Sequence, residues 1–319
     1  MNPPTIDDIR QAHDRIRDRI HRTPVITCSM LDEMSKQRLY FKCENLQGVG
    51  AFKLRGATNA IVSMNDKDAR KGVCTHSSGN HAQALARAAR DRGIPAWIVM
   101  PVTAPVVKRR AVEGYGATVI SCEPTLQARE ASAAKIVAET GATFIHPYND
   151  PRIIAGQATA AIELFEDVGE LDAIIVPIGG GGLMSGTCLA MNVLSPSTRL
   201  IGVEPAGADD AARSLAAGER LPQTNPKSIC DGLLTTLGEL TWPVLRDHLE
   251  TIMTVEDQQV ITAMKLLWER AKTVVEPSGA TPLAAVMSDA CPLPAGSRVG
   301  LILTGGNVDL ERLPWRMSG

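Results

Sequence analysis

Aromatic residues make up only 3% of this 319-residue chain. So small a supply excludes a surface of stacked rings for nucleic-acid bases. Basic blocks are also missing. The formal net charge is −2, whereas phosphate backbones are bound by clustered Lys and Arg. The short run Lys108-Arg109-Arg110 reads as a solvated helix face. No apolar run is long enough to cross a bilayer, and Met1-Asn2-Pro3-Pro4 leads into a charged helix, not an apolar signal segment. The seven cysteines (Cys28, Cys43, Cys74, Cys122, Cys188, Cys230 and Cys291) contain no CxxC pair. Their odd number and scatter argue against a disulfide framework or a zinc site. These absences predict a soluble cytoplasmic protein with neither nucleic acid nor membrane as a partner.

What is present is the pattern of an alternating chain. The length allows two domains or one large α/β unit, and 44% hydrophobic residues supply a sizeable core. Ile6, Ile9, His13, Ile16 and Ile20 recur at helical spacing behind Thr5, a candidate cap with Asp8 three residues on. Short apolar runs follow at 73–75, 96–100, 118–120, 143–145, 173–176, 200–203 and 299–303. Ala-rich stretches of helical spacing, such as 82–92 and 128–139, lie between them. Strands alternating with helices predict parallel sheets built from right-handed βαβ units. Gly116-Ala117-Thr118 and Gly141-Ala142-Thr143 repeat one punctuation, a glycine ending a helix before a strand. The chain ends soon after Thr304, so no C-terminal regulatory domain is expected.

Three segments carry chemistry together. Lys53 sits in Ala51-Phe52-Lys53-Leu54-Arg55-Gly56-Ala57, at the mouth of a predicted helix. Lysine is the side chain that condenses with carbonyl cofactors, although most lysines are solvated surface charges. Ser77-Ser78-Gly79-Asn80-His81 lies between a strand and a helix. Backbone N–H groups at a helix start form an anion site, suited to a substrate carboxylate. The plainer reading is a polar turn with Ser or Asn as the cap, and His81 as a structural residue. Gly179-Gly180-Gly181-Gly182-Leu183 also joins a strand to a helix. Its backbone can wrap a phosphate at the positive end of the helix dipole.

A dinucleotide is the competing owner of that phosphate. Its fingerprint needs G-x-G-x-x-G/A and then an acid about 20 residues on. Here Ser185 stands at the last position, and Glu204 is the available acid. A nicotinamide oxidoreductase would leave Lys53 and the Ser77–His81 loop without roles. Glu204-Pro205-Ala206-Gly207-Ala208-Asp209-Asp210 offers oxygen ligands for Mg²⁺ or Ca²⁺, or a polar loop capping a helix. Thr304-Gly305-Gly306-Asn307 closes the last strand, either presenting a hydroxyl to a heterocycle nitrogen or making a glycine turn.

Nearly the whole chain resembles the fold-type II pyridoxal phosphate (PLP) enzymes, in the serine racemase and serine/threonine dehydratase branch. The stretches that carry the resemblance are AFKLRGA (51–57), HSSGNHAQAL (76–85), GGGGLMSG (179–186), VEPAGADD (203–210), LWERAKTVVEPSGA (267–280) and LTGGNVDL (303–310). The resemblance implies a two-domain α/β fold of open parallel sheets. Residues 1–72 and 147–319 form a large PLP-binding domain, and 73–146 a small mobile one. It implies that Lys53 forms the imine with PLP and takes the Cα proton. Phe52 packs beside the cofactor, Asn80 bonds the 3′-oxygen, Gly179 to Leu183 hold the phosphate, and Thr304 faces the pyridine nitrogen. Ser77, Ser78, Gly79, Asn80 and His81 meet substrate. Ser78 faces Lys53 across it, the arrangement that racemisation requires.

Further implications follow from the same source. Glu204, the Ala208 carbonyl and Asp210 match a divalent-cation site for Mg²⁺, Ca²⁺ or Mn²⁺. Arg129 matches an arginine that meets a second carboxylate, as 3-hydroxyaspartate would offer. Thr235 stands where racemase relatives tend to have serine, and Ala51 where a serine is frequent. The implied activity is β-elimination from L-serine, L-threonine or 3-hydroxyaspartate. Racemisation of serine or aspartate is its companion or rival, and a homodimer is the expected assembly.

Overall fold

The computed structural model describes residues 2–316. Its ten strands are β1 (Val25–Ile26), β2 (Arg38–Lys42), β3 (Val73–His76), β4 (Ala96–Pro101), β5 (Thr118–Cys122), β6 (Thr143–Phe144), β7 (Ala173–Pro177), β8 (Arg199–Pro205), β9 (Thr251–Val255) and β10 (Arg298–Ile302). They form a six-stranded sheet of order β1-β2-β10-β7-β8-β9 and a four-stranded sheet of order β5-β4-β3-β6. Every pairing is parallel except that of β1 with β2. The seven apolar runs of the sequence are all strands. The runs missed were β1, β2 and β9. The first is two residues long, and Arg38-Leu39-Tyr40-Phe41-Lys42 is bracketed by cations that hide its apolar centre.

The first helix, Ile6–Ile16, is capped as its sequence predicts. Thr5 Oγ1 accepts from the Asp8 N–H, and the Asp8 carboxylate accepts from the Thr5 N–H. Ile20 lies beyond its end. The Lys108 run departs from expectation. Lys108 is half-buried, and its amine donates to Asp231 at 2.5 Å, a contact running from the helix Val106–Gly114 to the segment after β9's neighbour β8.

Chain order and spatial order differ in the larger sheet. Its centre places β10 between β2 and β7. The segments that follow these strands therefore meet at one edge, although they lie far apart in sequence. Lys53 follows β2, the glycine loop follows β7 and Thr304 follows β10. Ligands in open α/β sheets bind at this carboxyl edge. The Phe52 N–H donates to the Thr304 carbonyl at 3.0 Å, and the Gly306 N–H to the Gly50 carbonyl at 2.9 Å. The helix Lys53–Val62 packs on both the helix Asn80–Arg92, beside the small sheet, and the helix Pro151–Val168. Its Leu54, Ala57, Ala60 and Ile61 belong to the same apolar cluster as Val73, Ile98 and Leu85.

Candidate active site

Lys53 opens its helix with a half-buried side chain whose amine end is enclosed by protein. The amine donates to the Pro147 carbonyl at 3.1 Å and stands 5.0 Å from the centre of the Phe52 ring. Among the described residues it forms no ion pair. Burial alone lowers its pKa to about 8. A neutral amine is therefore available near physiological pH, the condition for attack on an aldehyde.

Two imidazoles, His81 and His146, feel the charge of this amine, and His76 neighbours His146; all three are held below the usual imidazole value. The His146 Nδ1 accepts from the Asn149 N–H at 2.9 Å, which fixes the proton on its other nitrogen. Burial, then the neighbouring His76 and Lys53, lower its pKa to about 4. His81 is 2% exposed. Burial first, and Lys53 second, push it well below the usual imidazole value. His76 is lowered by burial and then by the charge of Arg129.

The glycine loop runs into the helix Gly182–Leu194. Gly179 to Leu183 are buried, and among the described residues none of their backbone N–H groups has a hydrogen-bond partner. Buried N–H groups without partners are rare, because each carries a desolvation penalty. A run of them at a helix start suits an anion such as phosphate. The absence of side chains has a second cause. A Cβ on Gly180 would fall 2.3 Å from the Tyr148 ring, and one on Gly181, whose φ is +86°, 2.8 Å from Thr241. Gly179 abuts the Gly232 carbonyl, with the exposed Thr235 hydroxyl 3.3 Å from its missing Cβ.

The loop after β3 presents a second group of N–H donors free of protein partners. Ser78, Asn80 and His81 have backbone N–H groups with no protein partner among the described residues, whereas the Gly79 N–H donates to Ser77 Oγ at 3.3 Å. Among the described residues the Ser78 hydroxyl also has no hydrogen-bond partner. Asn80 is held at both ends. Its Nδ2 donates to Glu276 Oε1 at 2.9 Å, and its Oδ1 accepts from Asn307 Nδ2 at 2.9 Å. Glu276 is pushed up to about 8, by burial and then by the charge of Asp231. Thr304 is buried, and its hydroxyl has no hydrogen-bond partner among the described residues.

Arg129 lies in the first turn of the helix Leu126–Thr140, half-buried, with Nε donating to the Thr125 carbonyl at 3.4 Å. It pairs with no carboxylate among the described residues. Its charge is felt at both His76 and Tyr148. Glu204 and Asp210 lie apart from Lys53 in β8 and at the start of the next helix. Glu204 accepts from the N–H groups of Ala211 and Ala212 at 3.2 and 2.8 Å, and Asp210 from Gln223 and the Leu237 N–H, both at 3.0 Å. The buried Ala208 carbonyl has no partner among the described residues. No group of three or more His, Cys, Asp or Glu side chains arranged to hold a metal exists among the described residues.

The family model described as "Pyridoxal-phosphate dependent enzyme" matches residues 16–305. The chain belongs to this family. Pyridoxal phosphate carries both a carbonyl group, with which a neutral lysine can condense, and a phosphate, which a run of free N–H groups can bind. The dinucleotide alternative falls away, since Glu204 is fully buried and its oxygens are occupied by a helix start. The beta-hydroxyaspartate dehydratase of Paracoccus denitrificans is 52% identical over 99% of this chain and 100% of its own length. The serine racemase of Arabidopsis thaliana is 53% identical over 96% of this chain and 93% of its own. The solved structure of maize serine racemase superimposes with a TM-score of 0.95 at 47% identity, covering 98% of this chain and 97% of that one.

Sequence reading assigned no role to Pro147, Tyr148, His146 or Glu276. Two signals were available. His146-Pro147-Tyr148-Asn149-Asp150 is a turn-rich run directly after a strand, and Glu276 lies within the stretch LWERAKTVVEPSGA.

Proposed function

We propose that this enzyme eliminates the β-hydroxyl of a hydroxy-amino acid, giving a 2-oxo acid and ammonia, with 3-hydroxyaspartate favoured over L-serine and L-threonine. The observation that carries this preference is Arg129, a half-buried guanidinium whose charge reaches His76 and Tyr148 and which has no carboxylate partner among the described residues. A guanidinium fork binds a carboxylate bidentately. The substrate's first carboxylate is held by the free N–H groups of Ser78, Asn80 and His81. Bound PLP supplies an electron sink for the charge left at Cα. Phe52 flanks it, Gly179 to Leu183 hold its phosphate, and Asn80 and Thr304 bond its ring. Lys53, with a pKa near 8, accepts the Cα proton as a neutral amine.

Racemisation is the second reading, supported by the unengaged Ser78 hydroxyl, which is free to return a proton to the opposite face. Ser78→Ala is then expected to reduce racemisation about tenfold or more while sparing L-serine elimination. Chiral analysis of serine alongside 2-oxo acid release measures both. Equal losses would remove Ser78 from the racemisation step.

Arg129→Ala is expected to raise KM for 3-hydroxyaspartate by roughly 10- to 100-fold, the effect of losing a charge-assisted bond of about 1.5–3 kcal/mol. KM for L-serine should stay within about twofold. The pH dependence of cofactor capture is also specified. Below about pH 8 the neutral fraction of Lys53 rises with pH, so the rate of colour formation on adding PLP to the apoprotein should climb and then level off above that value. A flat profile from pH 6 to 9 would mean that another step limits capture.

We also propose a divalent cation at Glu204, the Ala208 carbonyl and Asp210. Burial raises these carboxyls to about 8 and about 6, and a bound cation would offset that penalty. The small unit at 73–146 is proposed to close over substrate. A homodimer is proposed from the exposed Leu46, Val274 and Leu310, and a cytoplasmic setting from the seven free cysteines. No helix of the described residues is long and apolar enough to cross a membrane.

The test of the activity is direct. L-serine and L-threo- and L-erythro-3-hydroxyaspartate are added separately to the yellow protein, with and without Mg²⁺, while 2-oxo acid is followed. Faster release from one hydroxyaspartate isomer than from serine supports the reading, and Mg²⁺ stimulation supports the cation site. A protein that stays colourless with PLP supplied would overturn the whole assignment.

A further inference from the structure

The dipeptide Pro147-Tyr148 touches both ends of the proposed cofactor site. The Pro147 carbonyl takes the Lys53 amine at 3.1 Å. The next residue lays its ring flat on the phosphate cradle. A Cβ added to Gly180 would fall 2.3 Å from Tyr148 Cγ and 2.4 Å from each Cδ, and one on Gly182 would fall 3.0 Å from Tyr148 Cβ. The turn is rigid on its other side too. His146 Nδ1 accepts from the N–H groups of Tyr148 at 3.3 Å and Asn149 at 2.9 Å, and the His146 ring meets the Tyr148 ring edge-on at 4.6 Å. Asn149 Oδ1 in turn accepts from the Leu240 N–H at 2.8 Å.

We propose that Tyr148 is a positioning residue that fixes the glycine cradle relative to the Lys53 amine. PLP carries its aldehyde and its phosphate arm on adjacent ring carbons, so the amine and the cradle must be held a fixed, short distance apart. Consecutive residues of one pinned turn set that distance. The four-glycine run thus has two reasons to lack side chains: Gly180 and Gly182 seat the ring, while their N–H groups stay free for phosphate. The inference rests on the PLP assignment and deepens it. The ring does this work, not the phenol oxygen, which lies beside the exposed Thr235 hydroxyl.

The experiment compares the rate of PLP release from the yellow holoprotein on dilution, by its visible absorbance, for the parent, Tyr148→Phe and Tyr148→Ala. Tyr148→Ala is expected to release PLP at least ~10-fold faster and to shift the visible band, because ring packing of this size is lost. Tyr148→Phe keeps the ring and should stay within about twofold of the parent. Release from the alanine variant at the parent rate overturns the proposal, and so does a phenylalanine variant as impaired as the alanine one. Should Tyr148→Ala fail to fold, Gly180→Ala tests the same contact from the loop side. Its methyl must displace the ring, so unaltered release would equally overturn the idea. A parent protein that binds no PLP would instead overturn the assignment on which the inference rests.

Discussion

Replacing Lys53 by alanine is expected to yield a colourless protein whose turnover falls by ~10³-fold or more. A positioned acid or base alone contributes about 10²–10⁴-fold, and the same substitution removes the covalent anchor of the cofactor. The amine is suited to both tasks. It is enclosed, carries no ion pair, has its pKa lowered to about 8 by burial, and is aimed by the Pro147 carbonyl. No other described lysine shares that setting: Lys42, the other deeply buried one, is locked to Glu163 at 2.7 Å. The measurement is the visible spectrum together with 2-oxo acid release. A yellow Lys53→Ala protein with even a tenth of parental turnover would refute Lys53 as the imine lysine.

Arg55→Leu is expected to be the most destabilising single change near the site. Arg55 is fully buried two residues after Lys53. It donates to both Glu44 oxygens at 2.7 and 2.8 Å and to both Glu163 oxygens at 2.8 and 2.7 Å, and Lys42 closes the group on Glu163 at 2.7 Å. Its four deeply buried members are two cations and two carboxylates, with the partly exposed Asp167 3.9 Å from Lys42 at the edge. Removing Arg55 leaves two buried carboxylates with one cation, at a cost of ~3–5 kcal/mol. A loss of that size should lower the melting temperature by roughly 10 °C. Arg55→Lys retains charge without the fork, so its loss should be smaller. Thermal melts of the holoprotein decide, and a leucine variant melting within about 2 °C of the parent would count against the cluster's importance.

The sign of the cluster's pH dependence follows. Burial by itself would raise the Glu163 pKa, but the bonds and charges of Arg55 and Lys42 bring it below 4.5. Its contribution is therefore full above that value and lost as pH falls through the lower folded pKa.

Local rules made much of this protein legible. The Thr5–Asp8 capping box, the apolar runs that became seven parallel strands and the glycine-bounded helices depend on neighbours within a few residues, so spacing exposes them. Lys53, the Ser77–His81 loop and the glycine loop were recognisable because each is a short run with an unusual composition. The small unit's boundary was less legible, since Leu54 to Ile61 precede β3 yet pack into the core beneath it.

By itself, then, the sequence determined the α/β class and singled out Lys53, the Ser77–His81 loop and the glycine loop as the candidate site. These follow from residue type and periodicity, which act over one or two turns of chain. Only the tertiary structure decided how those pieces become one site. Lys53 meets Pro147 across 94 positions, and Asn80 meets Glu276 and Asn307 across 196 and 227. The desolvation that lowers the Lys53 pKa and the ring seated on Gly180 both depend on which strands lie side by side. Insertion of β10 between β2 and β7 sets that order, and it joins chain segments too distant for any local pattern to specify.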